Sequence, residues 1–208
     1  MSILKTIKKN KIIPLGTLVN EDEVLNICNC LTEADIPLIE VTLRDKRVID
    51  AIPSFKKYPN IYLGIGTIRT TEQVDLAINA GASFAITPGF SPKISDYASS
   101  KGLVLIPGVQ TASEVMAASE AGHMVLKFFP AELSGGINKL NAFKSVFPDI
   151  TFIPTGGITN KNIANYLNLD NVVAVGASSA MPESLIRSKS WDEITNNLLE
   201  IKTIIETT

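Results

Sequence analysis

Along the 208-residue chain one pattern recurs eight times: a short apolar run, a turn, then a stretch with helical spacing of apolar positions. The apolar runs fall at Lys11–Leu15, Leu38–Leu43, Ile61–Ile65, Phe84–Thr87, Leu103–Pro107, Val125–Phe129, Thr151–Pro154 and Val172–Val175. Their spacing suits a strand, two loops and a crossover helix. Runs that are apolar on both faces and alternate with helices predict a parallel sheet covered by helices. Thr111–Glu114, Thr70–Gln73 and Ser190–Glu193 each place a hydroxyl three residues before a carboxyl or amide, as in a capping box. Gly81 and Gly122 fall where a left-handed cap would end a helix. Ile194, Leu198, Ile201 and Ile205 form one apolar face on the last helix. Eight such units predict a closed (β/α)₈ (TIM) barrel rather than an open doubly wound sheet. With no linker or shift in composition, residues 1–208 read as one domain. The dinucleotide-binding alternative lacks its fingerprint, because Arg69 stands where the third glycine after Gly64 and Gly66 would fall.

Composition narrows the function. A formal net charge of −2 gives no electrostatic footprint for nucleic acid or an anionic membrane. No apolar run approaches the length of a bilayer span. The lysine-rich first ten residues lack a signal-peptide core, which predicts a cytoplasmic protein. His123 is the single histidine, so a zinc site built on two or three histidines is excluded. Cys28 and Cys30, two apart on a helix, point to different sides and neither bridge nor chelate together; Cys28 shares an apolar stripe with Val24 and Leu31.

Chemistry concentrates on the strand ends, where a barrel carries its active site. The run from His123 to Pro130 is apolar except for Lys127, which has no acidic neighbour in its strand. An unpartnered ammonium is costly in an apolar setting, so such a lysine tends to become a neutral amine able to form a Schiff base. The competing arrangement is a lysine that snorkels to water from a strand end. In the second run Glu40, Thr42 and Arg44 share one parity, and Ile39, Val41 and Leu43 the other. A barrel-facing Glu40 must be paired or used: either it relays protons for an imine on Lys127, or it forms a structural pair with Arg44. Arg44 can also clamp a substrate carboxylate, and Thr67 can donate to one, unless each is merely solvated. The seventh and eighth units end in Pro154–Ile158 and Val175–Ser179, where Gly156, Gly157, Gly176 and Ser178 would let backbone amides and a helix N-terminus approach a phosphate. Ordinary turn glycines are the alternative.

The segments Leu38–Arg44 (LIEVTLR), Gly64–Thr67 (GIGT), Phe84–Gly89 (FAITPG), Leu105–Val109 (LIPGV), Lys127–Glu132 (KFFPAE) and Pro154–Ile158 (PTGGI) together resemble the bacterial 2-keto-3-deoxy-6-phosphogluconate (KDPG/KHG) aldolases along essentially the whole chain. The resemblance implies a class I aldolase of the Entner–Doudoroff route on a (β/α)₈ barrel, usually a homotrimer. It implies cleavage of KDPG to pyruvate and glyceraldehyde 3-phosphate, with 4-hydroxy-2-oxoglutarate as a further candidate substrate, and with neither metal nor cofactor. By position it implies Lys127 as the Schiff-base lysine and Glu40 as the general acid/base. Arg44 and Thr67 match the holders of the pyruvyl carboxylate, and Pro88 and Phe129 match pocket walls. Thr155 matches a residue near the substrate hydroxyls, and Gly156, Gly157 and Ser178 match the phosphate site. Two departures bear on that phosphate end. Leu15-Gly16-Thr17 and Ser179 stand where some relatives carry an arginine and a tryptophan. An isomerase or epimerase of phosphosugars, or a non-catalytic phosphosugar-binding barrel, would keep the glycine-rich loops without needing a buried lysine.

Overall fold

The computed structural model describes residues 2–208. Helix α1 (Ile3–Asn10) precedes β1 (Ile12–Gly16), α2 (Glu21–Glu33) and β2 (Leu38–Thr42). The short α3 (Val48–Ala51) runs into a 3-10 segment, Ile52–Lys57, and then come β3 (Tyr62–Gly66), α4 (Thr71–Asn79), β4 (Phe84–Ile86) and α5 (Pro92–Ser100). Strands β5 (Leu105–Ile106) and β6 (Gly108–Val109) lead to α6 (Ala112–Glu120), β7 (Val125–Phe128), α7 (Gly136–Val146), β8 (Thr151–Pro154) and α8 (Ile163–Leu167). Strand β9 (Val175–Ala177), α9 (Glu183–Arg187) and α10 (Trp191–Glu206) complete the chain.

All strand pairs are parallel, as the alternation predicts. Their ladders differ from the expected continuous ring of eight. They form a six-stranded sheet in the order β5-β4-β3-β2-β1-β9 and a three-stranded sheet β6-β7-β8. One break has a local cause. Pro107 has no N–H to add to a ladder, so the fifth apolar run splits into β5, paired with β4, and β6, paired with β7. The other break lies between β8 and β9, which are joined only by isolated bridges, Phe152 to Val172 and Thr155 to Gly176. The eighth run is accordingly shifted, from the expected Val172–Val175 to Val175–Ala177.

Strand parity divides the apolar side chains into two cores. Ile13, Leu15, Leu38, Phe84, Ile86, Ile106 and Ile153 cluster with Ile7 of α1 on one face of the strands. Ile12, Ile39, Val41, Ile65, Leu126, Phe128 and Phe152 pack on the other face, with the helices. Ile194, Leu198, Ile201 and Ile205 of α10 join this second core, as their spacing predicts. Of the three expected capping boxes, only Thr111–Glu114 has both reciprocal bonds. At α4, Thr70 accepts from the Gln73 amide, but the Gln73 side chain turns to the Arg69 N–H at 2.6 Å. Ser190 makes no capping bond, its hydroxyl lying 2.9 Å from that of Ser188. Gly81 and Gly122 adopt the expected left-handed conformation, with φ of 78° and 88°. Cys28 and Cys30 are both buried free thiols, and burial pushes Cys28 up to about 12.

Candidate active site

Glu40 and Thr42 share the parity of Leu38, and Lys127 that of Val125, so these polar groups point to the face of the first core. There the Lys127 Nζ lies 3.2 Å from Glu40 Oε1, and both residues are buried, at 5 % and 1 % exposure. This brings together the two residues expected on strands that line one site. Lys127 is not a lone amine in an apolar strand, because its partner arrives from a strand 87 residues earlier. Glu40 pairs with Lys127 rather than with Arg44. In a buried pair the ammonium–carboxylate and amine–acid forms differ only by a proton crossing that gap. Such a pair can present a neutral amine to a carbonyl while keeping the proton at hand.

The surrounding residues shape this pair. A Cβ at Gly66 would lie 2.0 Å from Glu40 Oε1, so only glycine lets the carboxylate settle against β3. The next residue, Thr67, holds φ at +65°, a left-handed conformation costly for a β-branched side chain. The strained residue therefore directly follows the glycine that seats the acid. The Phe129 ring centroid lies 5.2 Å from Lys127 Nζ, within range for a cation–π contact.

The other expected residues lie around the same strand ends. Arg44 lies beyond β2, which stops at Thr42; it is exposed and makes no salt bridge among the described residues. It lines a cavity of about 60 Å³ with Thr17, Thr42, Ser178 and Glu183. Arg44 and Ser178 thus share one small cavity, while Lys127 and Glu40 are not in its wall. Pro88 is exposed, its backbone packed against Gly108. Thr155 is buried, and the absence of a side chain at Gly176 makes room for its hydroxyl. Gly156 and Gly157 hold φ at 98° and 81°. The expected helix N-terminus at this end is not formed. Helix α8 begins only at Ile163, and Ser178–Ala180 is a three-residue 3-10 turn.

Three features have no clear signal in the sequence. The Thr17 and Thr42 hydroxyls meet at 2.8 Å on the wall of the small cavity. The Tyr166 hydroxyl donates to Glu132, whose backbone N–H bonds Gly156 C=O at 3.1 Å. Burial first, then the Glu132 carboxylate, raises the Tyr166 hydroxyl well above its ordinary value. Gly66 was legible only as part of the GIGT segment, without its role. Cavity size alone would mislead, since a space of about 390 Å³ between the Ile49–Lys56 segment and α4 contains no strand-end residue. Among the described residues no cluster of three or more His, Cys, Asp or Glu side chains is placed to hold a metal. No helix among them is long and apolar enough to cross a membrane.

Residues 3–197 match the family model described as KDPG and KHG aldolase. A 2-dehydro-3-deoxy-phosphogluconate aldolase of Haemophilus influenzae is 36 % identical over 205 residues, covering 98 % of this chain and 97 % of that protein. The KHG/KDPG aldolase of Escherichia coli K12 is 34 % identical over 195 residues, covering 93 % and 90 %. Among solved structures, a KDPG aldolase from Legionella pneumophila superposes with a TM-score of 0.92 at 35 % identity, covering 97 % of this chain and 98 % of that one. That crystal structure holds pyruvate captured at low pH as a covalent carbinolamine. A thiamine phosphate pyrophosphorylase from Pyrococcus furiosus, 17 % identical with a TM-score of 0.73, shares the fold alone. Agreement over almost the full length, in sequence and in backbone, means that the chain belongs to the KDPG and KHG aldolase family.

Proposed function

We propose that the protein is a class I aldolase that cleaves KDPG to pyruvate and glyceraldehyde 3-phosphate and also accepts 4-hydroxy-2-oxoglutarate. The observation that carries this reading is the buried Lys127–Glu40 pair at 3.2 Å. The Lys127 ammonium hands a proton to Glu40, the freed amine attacks the substrate's C2 carbonyl, and the carbonyl oxygen takes that proton from Glu40, which then accepts a second proton from the nitrogen. Glu40 returns a proton as the carbinolamine loses water to give the iminium. The Glu40 carboxylate, directly or through water, takes the C4 hydroxyl proton, the C3–C4 bond breaks to release glyceraldehyde 3-phosphate, and the electron pair moves into the iminium to give an enamine. Protonation at C3 by Glu40, directly or through water, and hydrolysis release pyruvate and free the amine.

In this scheme Arg44 and Thr67 hold the pyruvyl carboxylate, and Pro88 and Phe129 wall the pocket. Thr155 faces the hydroxyls, and Gly156, Gly157, Gly176 and Ser178 take the phosphate. A phosphosugar isomerase or a binding barrel gives no reason for a buried lysine paired with a carboxylate.

The architecture that fits this chemistry is a single (β/α)₈ barrel over residues 1–208. Strands β5 and β6 would count as one strand interrupted at Pro107, and the β8–β9 bridges would close the ring. A cytoplasmic homotrimer is the assembly we favour, consistent with apolar Leu133 standing 90 % exposed on the protomer.

Borohydride trapping tests the proposal. With pyruvate and reductant the protein gains one reduced pyruvate adduct on Lys127 by peptide mass spectrometry, and Lys127→Ala gains none. Equal labelling of the two proteins would overturn the assignment.

A further inference from the structure

Helix α10 contributes no residue to the proposed site, yet one of its polar side chains is bound to both loops that form the phosphate end. Asn197 Nδ2 donates to Ser179 C=O at 2.7 Å and to Ala180 C=O at 3.0 Å, gripping the turn that opens with Ser178. Its Oδ1 accepts from Asn160 Nδ2 at 2.9 Å, three residues beyond Gly157. A parallel tie runs between the same loops, from Ser179 Oγ to Ile158 C=O at 2.9 Å. Both N–H groups and the oxygen of the Asn197 amide are thus engaged. The flanking Ile194 and Leu198 of the same helix are fully buried in apolar packing.

This bracket matters because of what the loops lack. The β9 loop, 176–181, contains no lysine or arginine, and the β8 loop carries a single one, Lys161, exposed beside the start of α8. A phosphate held there depends on backbone amides and the Ser178 hydroxyl, whose strength rests on being fixed in place beforehand. Glycines at positive φ are the positions least able to fix themselves. Building on the aldolase reading, we infer that Asn197 is a positioning residue. By bracing the β8 and β9 loops through Asn160, Ser179 and Ala180, it sets affinity for the phosphate of the substrate and hence the preference for phosphorylated over unphosphorylated aldols.

Steady-state kinetics on KDPG and on 2-keto-3-deoxygluconate, which lacks the phosphate, test this inference. One net hydrogen bond corresponds to roughly a fivefold change in an equilibrium constant. Asn197→Leu, which removes three, is expected to raise KM for KDPG about tenfold, with kcat and the KM for 2-keto-3-deoxygluconate within about twofold of the parent. Inhibition by inorganic phosphate should weaken in parallel. Asn160→Ala and Ser179→Ala, each removing one tie, should raise the KDPG KM about threefold. A rise in KM equal for both substrates, or an unchanged KDPG KM in a variant with parental circular dichroism, overturns the inference. If Asn197→Leu does not fold, the two single-tie variants decide by the same criterion. A parent protein that cleaves KDPG while the variants stay flat sinks this inference alone. A parent that does not cleave KDPG sinks the aldolase reading and the inference with it.

Discussion

At the scale of the residue, the site turns on a carboxylate and an amine that neither strand could stabilise alone. Leaving either one buried without its partner costs several kcal/mol, so Lys127 and Glu40 fix one another's place. Glu40→Gln keeps the volume but removes the proton relay, and kcat should fall by roughly 10²–10⁴-fold; stopped assays with lactate dehydrogenase coupling would measure it. Gly66→Ala is expected to lose activity comparably, because the added Cβ would sit 2.0 Å from Glu40 Oε1 and push the acid away from Lys127. Full activity in either variant would return the pair to a structural role. His123 is a second residue whose environment has a measurable consequence. Its Nε2 is 2.7 Å from Ser95 Oγ, and burial lowers its pKa below the ordinary 6.5. A base whose folded-state value is depressed binds its proton more readily when unfolded. Its contribution to stability is therefore complete above pH 6.5 and is lost as the pH falls from there through the folded-state value. Thermal melts of the parent should show this decline, and His123→Gln should flatten it. Identical pH profiles would assign the decline to other groups.

At the scale of the element, strand parity and helix capping had different fortunes. Alternation in Leu38–Arg44 correctly separates Glu40 and Thr42 from Ile39 and Val41, because a two-residue period puts successive side chains on opposite faces whatever the neighbours do. Arg44 shares the parity in sequence but lies past the last ladder residue, where that rule no longer binds. The capping boxes share a sequence pattern yet only Thr111–Glu114 closes, since the N3 side chain of α4 finds a better-placed donor in Arg69 N–H. Thr111→Ala should therefore cost about 1 kcal/mol and lower Tm by roughly 2–4 °C. Ser190→Ala should shift Tm by less than half as much, because its hydroxyl makes no capping bond. Matching shifts measured by calorimetry would contradict that distinction.

At the scale of the whole molecule, two nested cores place the pair. The first core, closed by Ile7 of α1, fills one face of the strands, and the polar strand-end residues lie on the same face beyond it. Burial of the second core between strands and helices holds the strands in register, so atoms from β2 and β7 meet within 3.2 Å. If the proposed homotrimer forms, sedimentation equilibrium will report three times the 22.4 kDa protomer mass. A single species at the protomer mass would remove the trimer.

The apolar periods, the glycine and proline punctuation and the parity within each strand are local quantities, and the sequence alone determined them: parallel strands alternating with helices, the shared face of Glu40 and Thr42 on β2, and the positive-φ caps at Gly81 and Gly122. The KFFPAE and EVTLR segments also pointed to Lys127 and Glu40 as partners in one site, without the distance between them. What tertiary structure decided were the relations between distant segments. Lys127 lies 3.2 Å from Glu40, Arg44 shares a cavity with Ser178, Gly66 seats the acid, and Asn197 braces two loops from a helix outside the site. Each is a close approach set by how strands and helices pack, and no period or propensity within a short window encodes a distance across the fold.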